Sequence, residues 1–278
     1  LISRSLDRWF VPLARRVDHP DGLSRPTAYF RRLQRRYAEL TRAAGGEPRA
    51  LYLVVEKILA DHEPLPPAWP VHGGTGYRFS SLVNGLLVDA TAEAAFEQAY
   101  EAFTGDTSTF EETVHECKML VIDAAFASEL DWLTETLHRI TRSDRTTCDF
   151  TRHRLRAALA EIAAAFPVYR TYVGADSFEA SDTDRKHVAW ALAAARRQLG
   201  LTEVALLQSL EPILLGVPGP AQALRDRFVE RWQQFTSPVM AKSVEDTAFY
   251  RHVRLASLND VGSEPRRFGV STAAFHAA

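Results

Sequence analysis

The chain has 278 residues, a formal net charge of −2 and 24% charged residues. That balance supplies no electrostatic footprint for nucleic acid or an anionic membrane, and no apolar run approaches the length of a membrane span. Cys117 and Cys148 are too few for a disulfide framework. No basic N-terminal region leads into an apolar core and a cleavage site, so no signal peptide is expected. Reduced thiols and a cytoplasmic setting are the expectation.

In chain order, Leu1 to Phe10 is expected to hold the tail of a helix. Leu13 to Val17 reads as a short strand, interrupted by Arg15 and Arg16, and Asp18 stands where it stops. Pro20 and Gly22 make a loop. Ser24 or Arg25, followed by Pro26, starts a helix. Its Tyr29, Phe30, Leu33, Tyr37 and Leu40 share one face, and Gly45 and Gly46 end it. Leu51 to Val55 is a continuous apolar run, as in a buried parallel strand, and Glu56 stands at its end. Strand, helix, strand is the unit of a parallel sheet.

Asp61 to Asn84 is rich in Pro and Gly and reads as a long loop. Its Trp69, Tyr77 and Phe79 argue against disorder. Helices then dominate. One runs from Ala92 to Phe103. Thr109, with Glu111 and Glu112 behind it, starts a long helix to about Arg142. Others span Phe150 to Phe166 and Asp182 to Leu199. Thr202 caps the next, to Leu215. Gly216 to Pro220 is a break, and Ala221 to Phe235 is helical again. The expected organisation has residues 1–89 as part of a catalytic barrel, 90–235 as a helical insertion, and 236–278 as a return to the barrel.

The two strand-end acids carry the chemistry. In (β/α) barrels the active site lies at the C-terminal ends of the strands. Neighbouring strands are about 4.8 Å apart, and retaining glycosidases hold their carboxyl groups about 5–5.5 Å apart. Asp18 and Glu56 are therefore the candidate pair. Arg16, two residues before Asp18, falls on the same side of the strand. On spacing alone each acid has a commoner role: Asp18 as a cap or loop ion pair, Glu56 as an exposed strand-end residue. The nine histidines form no metal pattern. Gly73-Gly74-Thr75-Gly76 lacks the Lys-Ser/Thr of a phosphate-binding loop. No metal, nucleotide or other cofactor is expected.

Arg16-Val17-Asp18-His19-Pro20-Asp21-Gly22-Leu23 resembles the nucleophile motif of the α-amylase superfamily (glycoside hydrolase family 13). More narrowly, it resembles that of the maltooligosyltrehalose synthase family. Val54-Val55-Glu56-Lys57-Ile58-Leu59 is similar to that family's acid/base motif. The same holds for the loop from Leu65 to Tyr77, for Phe166-Pro167-Val168-Tyr169-Arg170-Thr171-Tyr172, and for the lysine motif from Met240 to Arg251. Arg78, Ser243, Asp260 and Ser263 depart from the family pattern of acid, glycine, glutamate and glycine.

The resemblance implies an α/β fold: part of a (β/α)8 TIM barrel with a large, mostly helical insertion. It implies Asp18 as nucleophile and Glu56 as general acid/base, which must hold a proton in order to donate it. Arg16, His19, Asp21, Trp69, Tyr77, Lys242, Glu245 and Asp246 are the candidate substrate-binding residues. The implied reaction turns the reducing-end α-1,4 linkage of a maltooligosaccharide into an α,α-1,1 linkage, an isomerisation in trehalose biosynthesis. The implied pathway partner is maltooligosyltrehalose trehalohydrolase. The family's proteins extend well beyond this chain on both sides, and a third acid stands beyond a pair like Phe275-His276. The chain is therefore expected to be an internal piece, inactive alone. Two other readings stay open: an α-glucan hydrolase or transferase of the same superfamily, and a non-catalytic helical binding module.

Overall fold

The computed structural model describes residues 14–45, 47–174 and 180–278. The expected helix tail at Leu1 to Phe10, the strand start at Leu13 and Gly46 lie outside them. A strand–helix–strand unit opens the described chain: β1 (Ala14–Asp18), α1 (Pro26–Ala43) and β2 (Tyr52–Glu56). Pro26 occupies the first turn of α1, where its missing N–H costs nothing. β1 and β2 pair in parallel, Ala14 opposite Tyr52 and Asp18 opposite Glu56. A two-residue β3 (Gly73–Gly74) adds to the other edge of β2, so the sheet runs β1-β2-β3. Phe30, Leu33 and Tyr37 of α1 bury their face on Leu53, Val55 and Trp69.

After β3 the described residues form no further strand. The stretch read as one long loop contains a helix, α2 (Tyr77–Leu86). Gly76, at φ 94°, turns the chain into it. Gly85 lets Val270 lie against the helix, where a Cβ would come within 2.5 Å of Val270 Cγ2. Then follow α3 (Glu93–Thr104), α4 (Phe110–Ala125), α5 (Ala127–Thr141), α6 (Arg152–Ala164), α7 (Asp182–Leu199), α8 (Val204–Leu214) and α9 (Gln222–Met240). α4 starts at a capping box of Thr109 and Glu112, α7 at one of Ser181 and Asp184.

Three expectations need correction. The single helix from Thr109 to Arg142 is two helices, broken at Phe126 (φ −123°, ψ 20°). Phe126 packs its ring edge-on against Phe235, and the break lets α4 and α5 each reach α9. Thr202 does not cap α8; it lies in a short 3-10 turn, Leu201–Glu203, ahead of it. α9 does not stop at Phe235. It continues through Pro238 to Met240 and widens into a π-helix, Ala241–Ala248. Val239 and Ala248 are fully buried, and the π-helix lies against α4, so the apolar face persists past the expected end. Trp232 centres the helical core, in ring contact with Phe166, Phe228 and Phe235. A short C-terminal helix, α10 (Thr272–Ala277), packs on α2. No described helix is long and apolar enough to cross a membrane.

One buried ionic cluster joins the sheet to the helices. Lys57 follows Glu56 and turns inward, as strand alternation requires. Its ammonium is fully buried, 3.2 Å from Asp21 and 2.8 Å from Glu63. Burial alone would pull the Lys57 pKa down; the two carboxylates outweigh it and raise it. Asp21 also accepts a hydrogen bond from the Tyr172 hydroxyl. Arg170 donates to the backbone carbonyls of Asp21 and Leu23 at 2.9 and 2.6 Å. α9 rests on the turn Pro20–Gly22, where the Ser24 hydroxyl meets Glu230. The loop after β1 is thereby clamped from both sides.

Two outcomes are expected in urea denaturation. Leu137 is fully buried, so Leu137→Ala lowers the unfolding free energy by about 2–5 kcal/mol. Lys57→Met leaves two buried carboxylates without a counter-ion and costs about 3–5 kcal/mol at neutral pH. Burial already pushes the Glu63 pKa up. A group raised in the folded state adds stability at low pH and loses it as pH rises through its folded pKa. The variant therefore regains stability on acidification, and an equal deficit at both pH values would contradict this.

Candidate active site

Asp18 and Glu56 are the last residues of adjacent parallel strands and are direct Cα partners. Both sequence-expected acids thus come to one edge of the sheet. Asp18 is paired with Arg16, Nε to Oδ1 at 2.7 Å. Both side chains are about half exposed, so the pair orients the carboxylate more than it stabilises the fold.

Glu56 is more enclosed, its side chain 16% exposed. Tyr77, the first residue of α2, donates its hydroxyl to Glu56 Oε1 at 2.8 Å. That bond, chiefly, holds the Tyr77 pKa above its ordinary value. His19 Nδ1 lies 3.8 Å from Glu56 Oε2. His19 takes the left-handed conformation at φ 48°, uncommon for a non-glycine residue. That bend is where the chain leaves β1 for Pro20, and it leaves the imidazole facing solvent beside Glu56.

The π-helix brings a third acid. Glu245 is half-buried and accepts a hydrogen bond from the Tyr169 hydroxyl. Burial pushes its pKa up, the Tyr169 bond pulls it down, and the charges of Asp246, His19 and Glu56 also act on it. Glu245 therefore lies within the reach of the charges of Glu56 and His19. Tyr169 was visible in the sequence only as part of a motif, and a tyrosine after Val168 gives no local sign of its partner. Lys242 and Asp246, one turn apart, are exposed and pair with each other at 2.6 Å. π segments are rare and occur often at functional positions.

Two expected sugar contacts lie elsewhere. Asp21 is buried, its carboxylate occupied by Lys57 and Tyr172. Trp69 is 4% exposed, packed between Phe30 at 5.0 Å and Tyr172 at 5.3 Å between ring centroids. Its neighbours leave no open ring face for stacking. The loop around Trp69 is shaped by packing against the sheet. Among the described residues no group of three or more His, Cys, Asp or Glu side chains could hold a metal ion.

No family model matches the chain. It is 34% identical over 261 residues to a Mycobacterium tuberculosis protein named as a maltooligosyl trehalose synthase, covering 94% of this chain and 30% of that protein. The structure of maltooligosyltrehalose synthase from Arthrobacter ramosus aligns with a TM-score of 0.76 and 33% identity, over 99% of this chain and 32% of that one. A hypothetical maltooligosyl trehalose synthase of Sulfolobus tokodaii aligns with a TM-score of 0.69 and 25% identity, over 99% of this chain and 30% of that one. The chain spans about a third of the length of these relatives. In sequence and in fold it corresponds to a segment of the maltooligosyltrehalose synthases, the family its motifs resemble.

Proposed function

We propose that this chain supplies the nucleophile and the acid/base of a maltooligosyltrehalose synthase, within a (β/α) barrel of which its three strands are part. The observation that carries the reading is the flush pairing of Asp18 with Glu56 at the ends of β1 and β2. In the first step an Asp18 oxygen attacks the anomeric carbon of the penultimate glucosyl unit. The bond from that carbon to O4 of the reducing-end glucose breaks, and Glu56 gives its proton to O4. The glucose stays enclosed and turns over. Glu56 then takes the proton of its anomeric hydroxyl, which attacks the glycosyl carbon and releases Asp18. Two displacements at one carbon retain its configuration, and the product is an α,α-1,1 linkage.

Tyr77 holds Glu56 between these two proton transfers. Arg16, 2.7 Å away, keeps the Asp18 carboxylate aimed. Glu245, held by Tyr169, and His19 are placed to accept or donate hydrogen bonds to sugar hydroxyls. Lys242 and Asp246 extend the polar rim. The substrate is a maltooligosaccharide or linear α-glucan, the setting the cytoplasm, and the product the substrate of a maltooligosyltrehalose trehalohydrolase.

The test is to incubate the protein that carries this chain with maltopentaose and to follow reducing ends and free glucose together. Loss of reducing ends without glucose supports the isomerisation. Rising reducing ends with glucose release replace it by an amylase-like hydrolase, and no change with any glucan leaves the helical binding module. Asp18→Asn is expected to lower turnover about a thousandfold or more, about 4 kcal/mol at 1.36 kcal/mol per tenfold, with unchanged thermal unfolding.

A further inference from the structure

The stretch that follows the π-helix grips α2 at both ends. At the far end of α2, Val270 donates its N–H to the Gly85 carbonyl at 2.8 Å. At the near end the contact is Gly262. Asp260 to Ser263 is a tight turn, closed by the Ser263 N–H on the Asp260 carbonyl at 2.8 Å. The Asp260 side chain accepts the Val261 N–H, also at 2.8 Å. Gly262 is the third residue of the turn and stands at φ 80°, a left-handed value that favours glycine. A Cβ there would come within 2.8 Å of Tyr77 Cβ and 3.3 Å of Tyr77 Cγ. Glycine thus serves both the turn and the close approach to Tyr77.

The turn is anchored. Asn259, just before it, donates to the carbonyls of Phe249 and His252 at 3.0 and 2.7 Å. Those two residues directly follow the π-helix that carries Glu245. Leu258 is buried, and the 3-10 turn Ala256–Leu258 lies against α2. Gly262 and Ser263 also line a cavity of about 110 Å³ together with Tyr169 and Glu245. One strap therefore runs from the π-helix to the first residue of α2. What it meets there is the root of the Tyr77 side chain. A tyrosine χ1 has three staggered wells, and from the one it occupies the Tyr77 hydroxyl reaches Glu56 Oε1 at 2.8 Å. Rotation to another well carries the hydroxyl off Glu56. Tyr77 is only partly buried, so core packing alone does not select the well. The Gly262 backbone closes one side of Cβ, Cγ and Cδ1.

We propose that Gly262 is a positioning residue for the acid/base, its turn holding the Tyr77 ring so that the hydroxyl stays on Glu56. This role rests on that of Glu56 as acid/base.

The test compares two substrates in the protein that carries this chain. Maltopentaose needs a proton on its leaving oxygen. α-Maltotriosyl fluoride does not: Asp18 attacks the anomeric carbon, the C–F bond breaks, and fluoride leaves with the electron pair. Gly262→Ala is expected to slow the loss of reducing ends from maltopentaose about tenfold to a hundredfold, with KM and single-turnover fluoride release nearly unchanged. Tyr77→Phe keeps Cβ and the ring but loses the hydroxyl, and is expected to show the same split. Adding Gly262→Ala to it should then cost little more, because both changes act on one hydrogen bond. Asn259→Ala, which releases the turn without adding an atom, repeats the split should Gly262→Ala not fold. Equal losses on both substrates would overturn the proposal. So would a Tyr77→Phe enzyme without the split, or full additivity of Gly262→Ala and Tyr77→Phe. Glu56→Gln is measured alongside. If it shows the split and Gly262→Ala does not, Gly262 has no such role although Glu56 keeps its own. A Glu56→Gln enzyme that still converts maltopentaose removes Glu56 as acid/base, and the role of Gly262 with it.

Discussion

The ammonium of Lys57 is the contact on which the site's geometry rests. It is the residue after Glu56, and it is buried between Asp21 and Glu63. Taking an ammonium and two carboxylates out of water costs several kcal/mol per ion, and only close pairing offsets that. The pairing therefore admits little displacement. Because neighbouring residues of a strand point to opposite sides, fixing Lys57 inward fixes Glu56 outward. A slip of one residue would reverse both. The same cluster holds Asp21, three residues after Asp18, so one buried cation sets where both strand-end acids sit.

The helical region completes this geometry from the other side. Tyr169, Arg170 and Tyr172 come from one short stretch after α6, yet they serve different purposes. Arg170 and Tyr172 grip the loop after β1. Tyr169 reaches Glu245 on the π-helix. Widening from α to π rotates the residues that follow, and here the rotation falls between Val239 and Phe249, both of which stay in the core. Glu245 thereby meets the field of Glu56 and His19 although it lies nearly two hundred residues further along the chain.

What the sequence made legible follows from local physics. The β1–α1–β2 unit could be read because the apolar run of β2 and the helical spacing of α1 are signals confined to one element. The start of α7 could be read at Asp182, and a capping box of Ser181 and Asp184 closes the turn there. The break at Phe126 could not, because no glycine or proline marks it and the ring that Phe126 meets, Phe235, lies on α9. The helix α2 was hidden by the Pro and Gly of the loop before it. Asp18, Glu56, Arg16, His19 and Tyr77 lie together at the ends of β1 and β2. Asp21 and Trp69 do not join them, because an acid beside a buried lysine and an indole beside a sheet core are claimed by packing first. Sequence shows which residue types a reaction would need, but not which of them the interior takes.

That competition bears on how water would be excluded from the proposed reaction. Isomerisation and hydrolysis share the same glycosyl intermediate and differ in whether water or the retained glucose reaches it. The Asp18 side chain is 47% exposed here, against 16% for Glu56. The loop from Leu65 to Trp69 is no cover for it, since Trp69 is turned into the sheet core. Tyr77, at the start of α2, bonds Glu56 directly, and Glu245 of the π-helix lies within the reach of its charge. On the proposed reading the acid/base is shielded by this chain and the nucleophile is not. Closure over Asp18 then has to come from the bound glucan itself or from surfaces contributed by the rest of a protein of the relatives' length. Changes at the Asp18 side would shift the balance toward hydrolysis more readily than changes around Glu56.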